Sequence, residues 1–219
     1  GVMLFERVGR TLELTKAGLE MLEHTKDMGL AANKISLVAT GQSQAIDGEV
    51  RITATDIFSA YLLPPVLKKL REVAPDLTID LVAANDIQDI MRREADIAIR
   101  HVRPEQPDLI ARLVAEPKAY FYASRSFVQQ YGQPTDLKDL ANFDFVSFGN
   151  AEEMVGFLKP LGIPLTEKNM KIGSTNGLVA WQLCRDGFGI AVMSEHVANK
   201  DQDMVRLLPD VDPVVFPTW

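Results

Sequence analysis

The chain has 219 residues, enough for one or two domains with a sizeable core. Its hydrophobic fraction of 47% and charged fraction of 24% are those of a globular protein, and no apolar run approaches a membrane span or forms a signal peptide. The net charge of −7 argues against broad nucleic-acid binding, and a lone cysteine, Cys184, excludes an internal disulfide and fits a reduced, cytoplasmic setting.

Residues 1–16 read GVMLFERVGRTLELTK. The alternation from Arg10 to Thr15 fits one half-buried strand of a small hairpin, with Arg7 and Arg10 flanking Gly9 at the turn. Arg7, Arg10 and Lys16 against Glu6 and Glu13 give this stretch +1; with −7 in total, the rest of the chain carries −8. A basic hairpin leading into a long helix is an unusual start for a free-standing domain. It points to the effector and dimer part of a protein that docks elsewhere, on DNA. Arg7 and Arg10 either touch phosphates or a minor groove in the intact protein or are solvated hairpin charges.

Thr15 is a fitting N-cap, and the pattern from Lys16 to about Thr40 is helical and free of proline. Met21, Thr25, Met28, Ala32, Ile35 and Ala39 are spaced 4-3-4-3-4, a heptad seam of small or flexible residues. The seam serves either a dimer or an amphipathic helix lying on its own body. Gly41 ends the helix, and Gly41 to Gly48 is a polar linker.

From Glu49 the pattern alternates strands and helices. Strands are expected at Val50–Thr55, Leu77–Ala83 and Ala95–Arg100, with helices at Leu62–Val73, interrupted or started by Pro64-Pro65, and at Ile87–Arg93. Repeated βαβ units imply a mostly parallel sheet with helices on both faces. A second, smaller α/β set follows. It has strands at Ala119–Ala123, Asp144–Phe148, Lys171–Ser174 and Ile190–Met193, and helices at Phe127–Tyr131 and Leu178–Arg185. Two such sets predict two lobes with a cleft between them, a usual place for ligands.

Several stretches, in order, resemble the LysR-type bacterial transcription regulators. LFERVGRTLELTKAGLEML resembles the end of their winged helix-turn-helix and the start of their linker helix. GEVRITATDIFSAYLLPPVLKKLREVAPDLTIDL resembles the opening of their effector-binding domain. READIAIR, PDLIARLVAEPKAYFYAS and GQPTDLKDL resemble its middle, and STNGLVAWQLCRDGFGIAVMSEHV the segment returning to the first lobe. The resemblance implies an α/β fold like the type II periplasmic binding proteins, two lobes joined by two crossing strands, preceded by a remnant wing hairpin and a long linker helix. It places the crossings near Pro117–Tyr120 and Val192–Glu195. It implies a wing over residues 1–16, a dimerisation helix and linker over 17–47, and an effector domain over 48–219. Lobe I would take about 48–117 and 195–219, lobe II about 118–194. The family's DNA-reading helix would precede Gly1, and its usual final helix would follow Trp219.

Ligand sites in parallel sheets lie at the carboxyl ends of strands. Thr55 and Asp56 end the first strand of the body, Arg100 the third, and Ser124 a second-lobe strand; Ser174-Thr175-Asn176 precedes a helix whose free N–H groups favour an anion. By resemblance these positions face the effector cavity, with Phe58 and Phe148 as apolar walls. Arg100 suits a carboxylate or pairs locally with Asp56 or Asp96. Asp56 departs from the small hydroxyl residue usual in the family. It either takes a ligand amine, while Arg100 and the Ser174 segment take the carboxylate of a small amphoteric metabolite, or neutralises Arg100. Ser174, Thr175 and Asn176 also read as a plain helix cap.

No catalytic set, metal spacing or cofactor fingerprint is present: His24, His101 and His196 are scattered, and Gly187-Phe188-Gly189 precedes a strand, the reverse of a dinucleotide site. Cys184, in a pattern with Trp181 and Leu183, reads as inert core. The leading expectation is therefore a non-enzymatic, cofactor-free, ligand-responsive transcription regulator. Its partners would be promoter DNA, a small carboxylate-bearing effector and itself as a dimer or tetramer, and no membrane. The alternative is a solute-binding protein of a transport system with the same fold.

Overall fold

The computed structural model describes residues 2–8, 11–18, 21, 22, 24, 25, 28, 46–85, 95–104 and 109–219. The chain divides into two compact units, Gly1–Asp47 and Gly48–Trp219. In the first unit, β1 (Phe5–Val8) and β2 (Thr11–Leu14) form an antiparallel hairpin with Phe5 opposite Leu14 and Arg7 opposite Leu12. Thr15 caps the following helix: its Oγ1 accepts from Gly18 N at 3.0 Å and donates to Met3 O at 2.7 Å. Gly18 is required there, because a Cβ would run into the Leu4 carbonyl. Helical residues recur at 16–18, 21, 22, 24, 25 and 28. Arg10, Ala32, Ile35 and Ala39 lie outside the described residues, as does the helix expected at Ile87–Arg93.

In the second unit, β3 (Gly48–Ala54) lies between β4 (Leu77–Ala83) and β5 (Ile97–Ile99), all parallel. Asp56 opens a turn that widens to a π-turn at Phe58–Leu62 and then becomes α1 (Leu63–Val73). Pro64 and Pro65 sit in the first turn of α1, where a missing N–H costs nothing. Ile52, Ala54 and Leu63 form this lobe's core with Phe58, Leu67, Leu81 and Ile99 against them. The strand expected to reach Arg100 ends at Ile99, and Arg100 exchanges two backbone hydrogen bonds with Trp219 instead.

The second lobe departs from the expected parallel pattern. β6 (Lys118–Ser124) is antiparallel to β9 (Ala191–Ser194) on one side and to β10 (Met204–Leu207) and β11 (Val214–Val215) on the other. β7 (Phe145–Phe148) and β8 (Met170–Ser174) are parallel and join β9 through a parallel bridge between Phe145 and Ile190. The helices are α2 (Arg125–Tyr131), α3 (Ala151–Leu158), α4 (Gly177–Arg185) and α5 (Glu195–Ala198).

β10 pairs with the distal half of β6, from Phe121 to Ser124, which keeps Met204–Leu207 beside that second-lobe strand. Further on, Val214 pairs with Ala119, Thr218 bridges to Ala115, and Trp219 exchanges backbone hydrogen bonds with Arg100. Among the described residues, no helix is long and apolar enough to cross a membrane.

Candidate ligand cleft

The carboxyl end of β3 in the first lobe meets the segment after β8 in the second, through Asp56 and Gly177. Phe148 and Ser174 end a parallel pair in register, and Gly149 N donates to Ser174 O at 2.9 Å. Asn176 then caps α4, its Oδ1 accepting from Val179 N at 3.1 Å, while Ser174 Oγ accepts from Asn176 N at 3.1 Å. A helix start of this kind carries partial positive charge on its free N–H groups.

Asp56, 6% exposed, fills that position from the opposite lobe. Its carboxylate accepts from Gly177 N at 2.5 Å, from Ile57 N at 2.6 Å and from Asn85 Nδ2 at 2.8 Å. A buried carboxylate is tolerable only when hydrogen-bonded in this way. Asn85 also donates to Thr175 O at 2.7 Å and accepts from Asp56 N at 3.1 Å. Gly177 has no substitute here, since a Cβ would stand 2.7 Å from Asp56 Oδ1 and 2.9 Å from Ile57 Cγ1. Ile57, Tyr61 and Phe148 pack on the second-lobe cluster of Trp181, Ala180 and Val197. Lys200 Nζ donates to Tyr61 O at 2.7 Å.

Of the expected residues, Asp56 meets the start of α4 just after Ser174, Thr175 and Asn176; Thr55 precedes Asp56 in the chain, and Phe148 pairs with Ser174 at the ends of β7 and β8. Phe58 lies edge-to-face with His101, ring centres 6.2 Å apart, and His101 in turn with Phe216. Arg100 is buried within the first lobe, donating to Thr53 Oγ1 at 2.8 Å and Ile99 O at 2.9 Å. Asp56 and Arg100 do not pair, so the expected local neutralisation is replaced by the α4 terminus. Asp96 likewise faces β3, its carboxylate accepting from Arg51 N at 2.8 Å.

Ser124 lies apart from these residues. Because β6 runs antiparallel to β7 and β8, its carboxyl end lies at the opposite edge of the sheet from Phe148 and Ser174. There Ser124 Oγ caps α2, accepting from Phe127 N at 3.2 Å, beside Gly187 beyond the far end of α4. A cavity of about 700 Å³ lies at that far edge, lined by Phe127, Phe143, Lys171 and Phe188 among others, away from the cleft. Asn85 is the inter-lobe residue that the sequence patterns passed over. It sits in no motif, and only the fold brings it to Asp56 and the Thr175 carbonyl.

In the hairpin unit, Arg7 is exposed on β1. Met21 (48%) and Met28 (71%) are exposed, and Thr25 Oγ1 donates to Met21 O at 2.7 Å. Burial pushes the Cys184 thiol up to about 12, as inert core requires. Among the described residues, no group of three or more His, Cys, Asp or Glu is placed to hold a metal.

The sequence and the fold match known proteins. Residues 43–219 match the family described as LysR substrate binding domain. The chain is 28% identical over 213 residues to the HTH-type transcriptional regulator ClcR of Pseudomonas putida, covering 90% of this chain and 69% of that protein. It is 26% identical over 224 residues to DmlR of Escherichia coli K12, covering 95% and 70%. The fold matches CrgA, a LysR-type transcriptional regulator from Neisseria meningitidis, with a TM-score of 0.70 at 21% identity, over 99% of this chain and 76% of that one. With a family match over most of its length, the chain belongs to the LysR-type transcriptional regulators, and residues 43–219 are its effector-binding domain.

Proposed function

We propose that this chain senses a small, carboxylate-bearing metabolite in the cleft between its lobes and transmits the event to promoter DNA through the helix-turn-helix of the intact protein. The observation that carries this reading is the convergence of polar groups from opposite lobes, Asp56 and Asn85 against the Thr175 carbonyl and the Gly177 amide. The α4 terminus suits a ligand carboxylate and Asp56 a ligand ammonium, which favours an amphoteric molecule. Arg100, buried just beyond β5 in the first lobe, adds positive charge. Phe58 and Phe148 supply apolar walls.

The protein works as a dimer or tetramer in the cytoplasm. Met21, Thr25 and Met28 of the helix after the hairpin, with Ala32, Ile35 and Ala39 continuing the heptad, form one seam. Side-by-side pairing of bodies through α1 and α4 forms another, so that effector binding shifts the spacing of the DNA-binding heads. Arg7 and Arg10 touch DNA phosphates or a minor groove. The relatives are named as regulators, not enzymes or transport proteins, so the solute-binding alternative gains no support. A thermal-shift screen of amino acids and organic acids tests the reading: a hit must also change promoter-fragment mobility with the intact protein. If Arg100→Ala keeps the full ligand response, the role given to Arg100 is wrong.

A further inference from the structure

Three ties join the lobes. Asp56 takes the Gly177 amide, Asn85 takes the Thr175 carbonyl, and Lys200 reaches the Tyr61 carbonyl with its ammonium 5.5 Å from the Tyr61 ring centre. The first stands where an effector carboxylate would have to bind. The Asp56 carboxylate is buried, carries three N–H donors, and lies against the start of a nine-residue helix. Gly177, whose Cβ would collide with Asp56 and Ile57, allows the two lobes to approach this closely.

We propose that Asp56 is a built-in occupant of the anion position at the α4 N-terminus, so that an effector carboxylate enters only by displacing this side chain. The inference rests on the reading of the cleft as the effector site. Its consequence is selectivity. A tethered carboxylate acts at an effective concentration on the order of millimolar or more, so a simple monocarboxylate competes poorly with it. A molecule that also gives an ammonium to the displaced Asp56 leaves neither half of the broken tie unpaired, and is therefore preferred. Asp56 is thus a specificity-determining residue of the cleft, where a small hydroxyl residue would leave the helix end open to any carboxylate.

Amide hydrogen exchange on the full 219-residue chain, read at Gly177 and along α4, tests this with sodium acetate as the probe and sodium chloride as the ionic-strength control. Asp56→Ala is expected to speed Gly177 exchange by roughly tenfold or more while Ala180 to Cys184 stay protected. Acetate, not chloride, then restores protection in Asp56→Ala and leaves the wild type unchanged. Gly177→Ala, which strikes the tie from the other lobe, is expected to raise the radius of gyration in solution scattering as Asp56→Ala does. Should Asp56→Ala fail to fold, Asp56→Asn carries the test, with faster Gly177 exchange expected because the charge is gone. Equal Gly177 protection in wild type and variants, or acetate acting on the wild type as strongly as on Asp56→Ala, overturns the proposal. No effector or DNA enters this experiment, so its failure leaves the metabolite-sensing reading standing, and a fruitless metabolite screen leaves the tie standing.

Discussion

His101 sits half-buried between the Phe58 and Phe216 rings, with Nδ1 3.3 Å from Thr218 Oγ1. Burial pushes its pKa below the ordinary 6.5, a hydrogen bond with the Pro217 backbone opposes this, and the neighbouring Arg100 charge adds to the lowering. On acidification the unfolded chain therefore takes up this proton before the folded one does. The stability held by neutral His101 is intact above about pH 6.5 and is lost as the pH falls towards the folded-state value. The melting temperature is expected to fall between about pH 7 and pH 5.5, and His101→Phe to flatten that slope; equal slopes in the two proteins would assign it to other groups. Cys184, fully buried with its thiol pushed up to about 12, is expected to resist a disulfide reagent until denaturant is added. Single residues differ in how far sequence can place them. Asp56 stands out as a carboxylate at a strand end, yet its main partner is an amide 121 positions away, which no local pattern predicts. Ser124 is correctly a strand end, but which edge of the sheet that end reaches depends on strand direction, and strand direction is set by tertiary pairing.

Among elements, those with strong local signals are legible. β4 runs from Leu77 to Ala83 as its alternation predicts, and α1 begins where two prolines demand a first turn. α3 went unread although its start is written plainly: Asn150 caps Glu152 and Glu153, both acidic residues in the first turn. β10 and β11, of four and two residues, are too short for periodicity to mark, and they decide where the chain returns to the first lobe. Caps also rank the elements energetically. Asn176→Ala removes one side-chain bond at an exposed helix start and should cost about 1 kcal/mol. Asn169, 8% exposed, holds more: Nδ2 donates to Ala141 O and Phe143 O, and Oδ1 takes Thr166 N and Oγ1. Asn169→Ala strands those groups beneath β7 and β8 and should cost about 3 kcal/mol. Urea midpoints that placed the two variants equal, or reversed, would show that the loop before β8 repacks around the loss.

Across the whole molecule, the effector domain presents two helices whose outer faces are more apolar than isolated folding requires. Val66 and Val73, two turns apart on α1, are 56% and 71% exposed, while Leu178 and Val179 on α4 are 36% and 50% exposed. Singly, exposed aliphatic residues are ordinary. Here they sit on the two helices assigned to body pairing, and the inner face of α4 is already spent on Ala180, Trp181 and Cys184 within the core. The outward residues are about half exposed or more at Val66, Val73 and Val179, so a charge placed there should leave folding stability within about 0.5 kcal/mol of wild type. It should nonetheless prevent association if these faces meet in a partner, because a buried unpaired charge costs several kcal/mol. Val66→Glu and Val179→Glu are each expected to lower the solution mass by light scattering, as is a chain starting at Gly48, which loses the seam of the helix after the hairpin. The combined variant, Val66→Glu in the chain starting at Gly48, should be monomeric. A mass unchanged by either charge, with the truncated chain alone dissociating, would leave the seam as the sole association surface, and effector closure would then need another route to the DNA-binding heads.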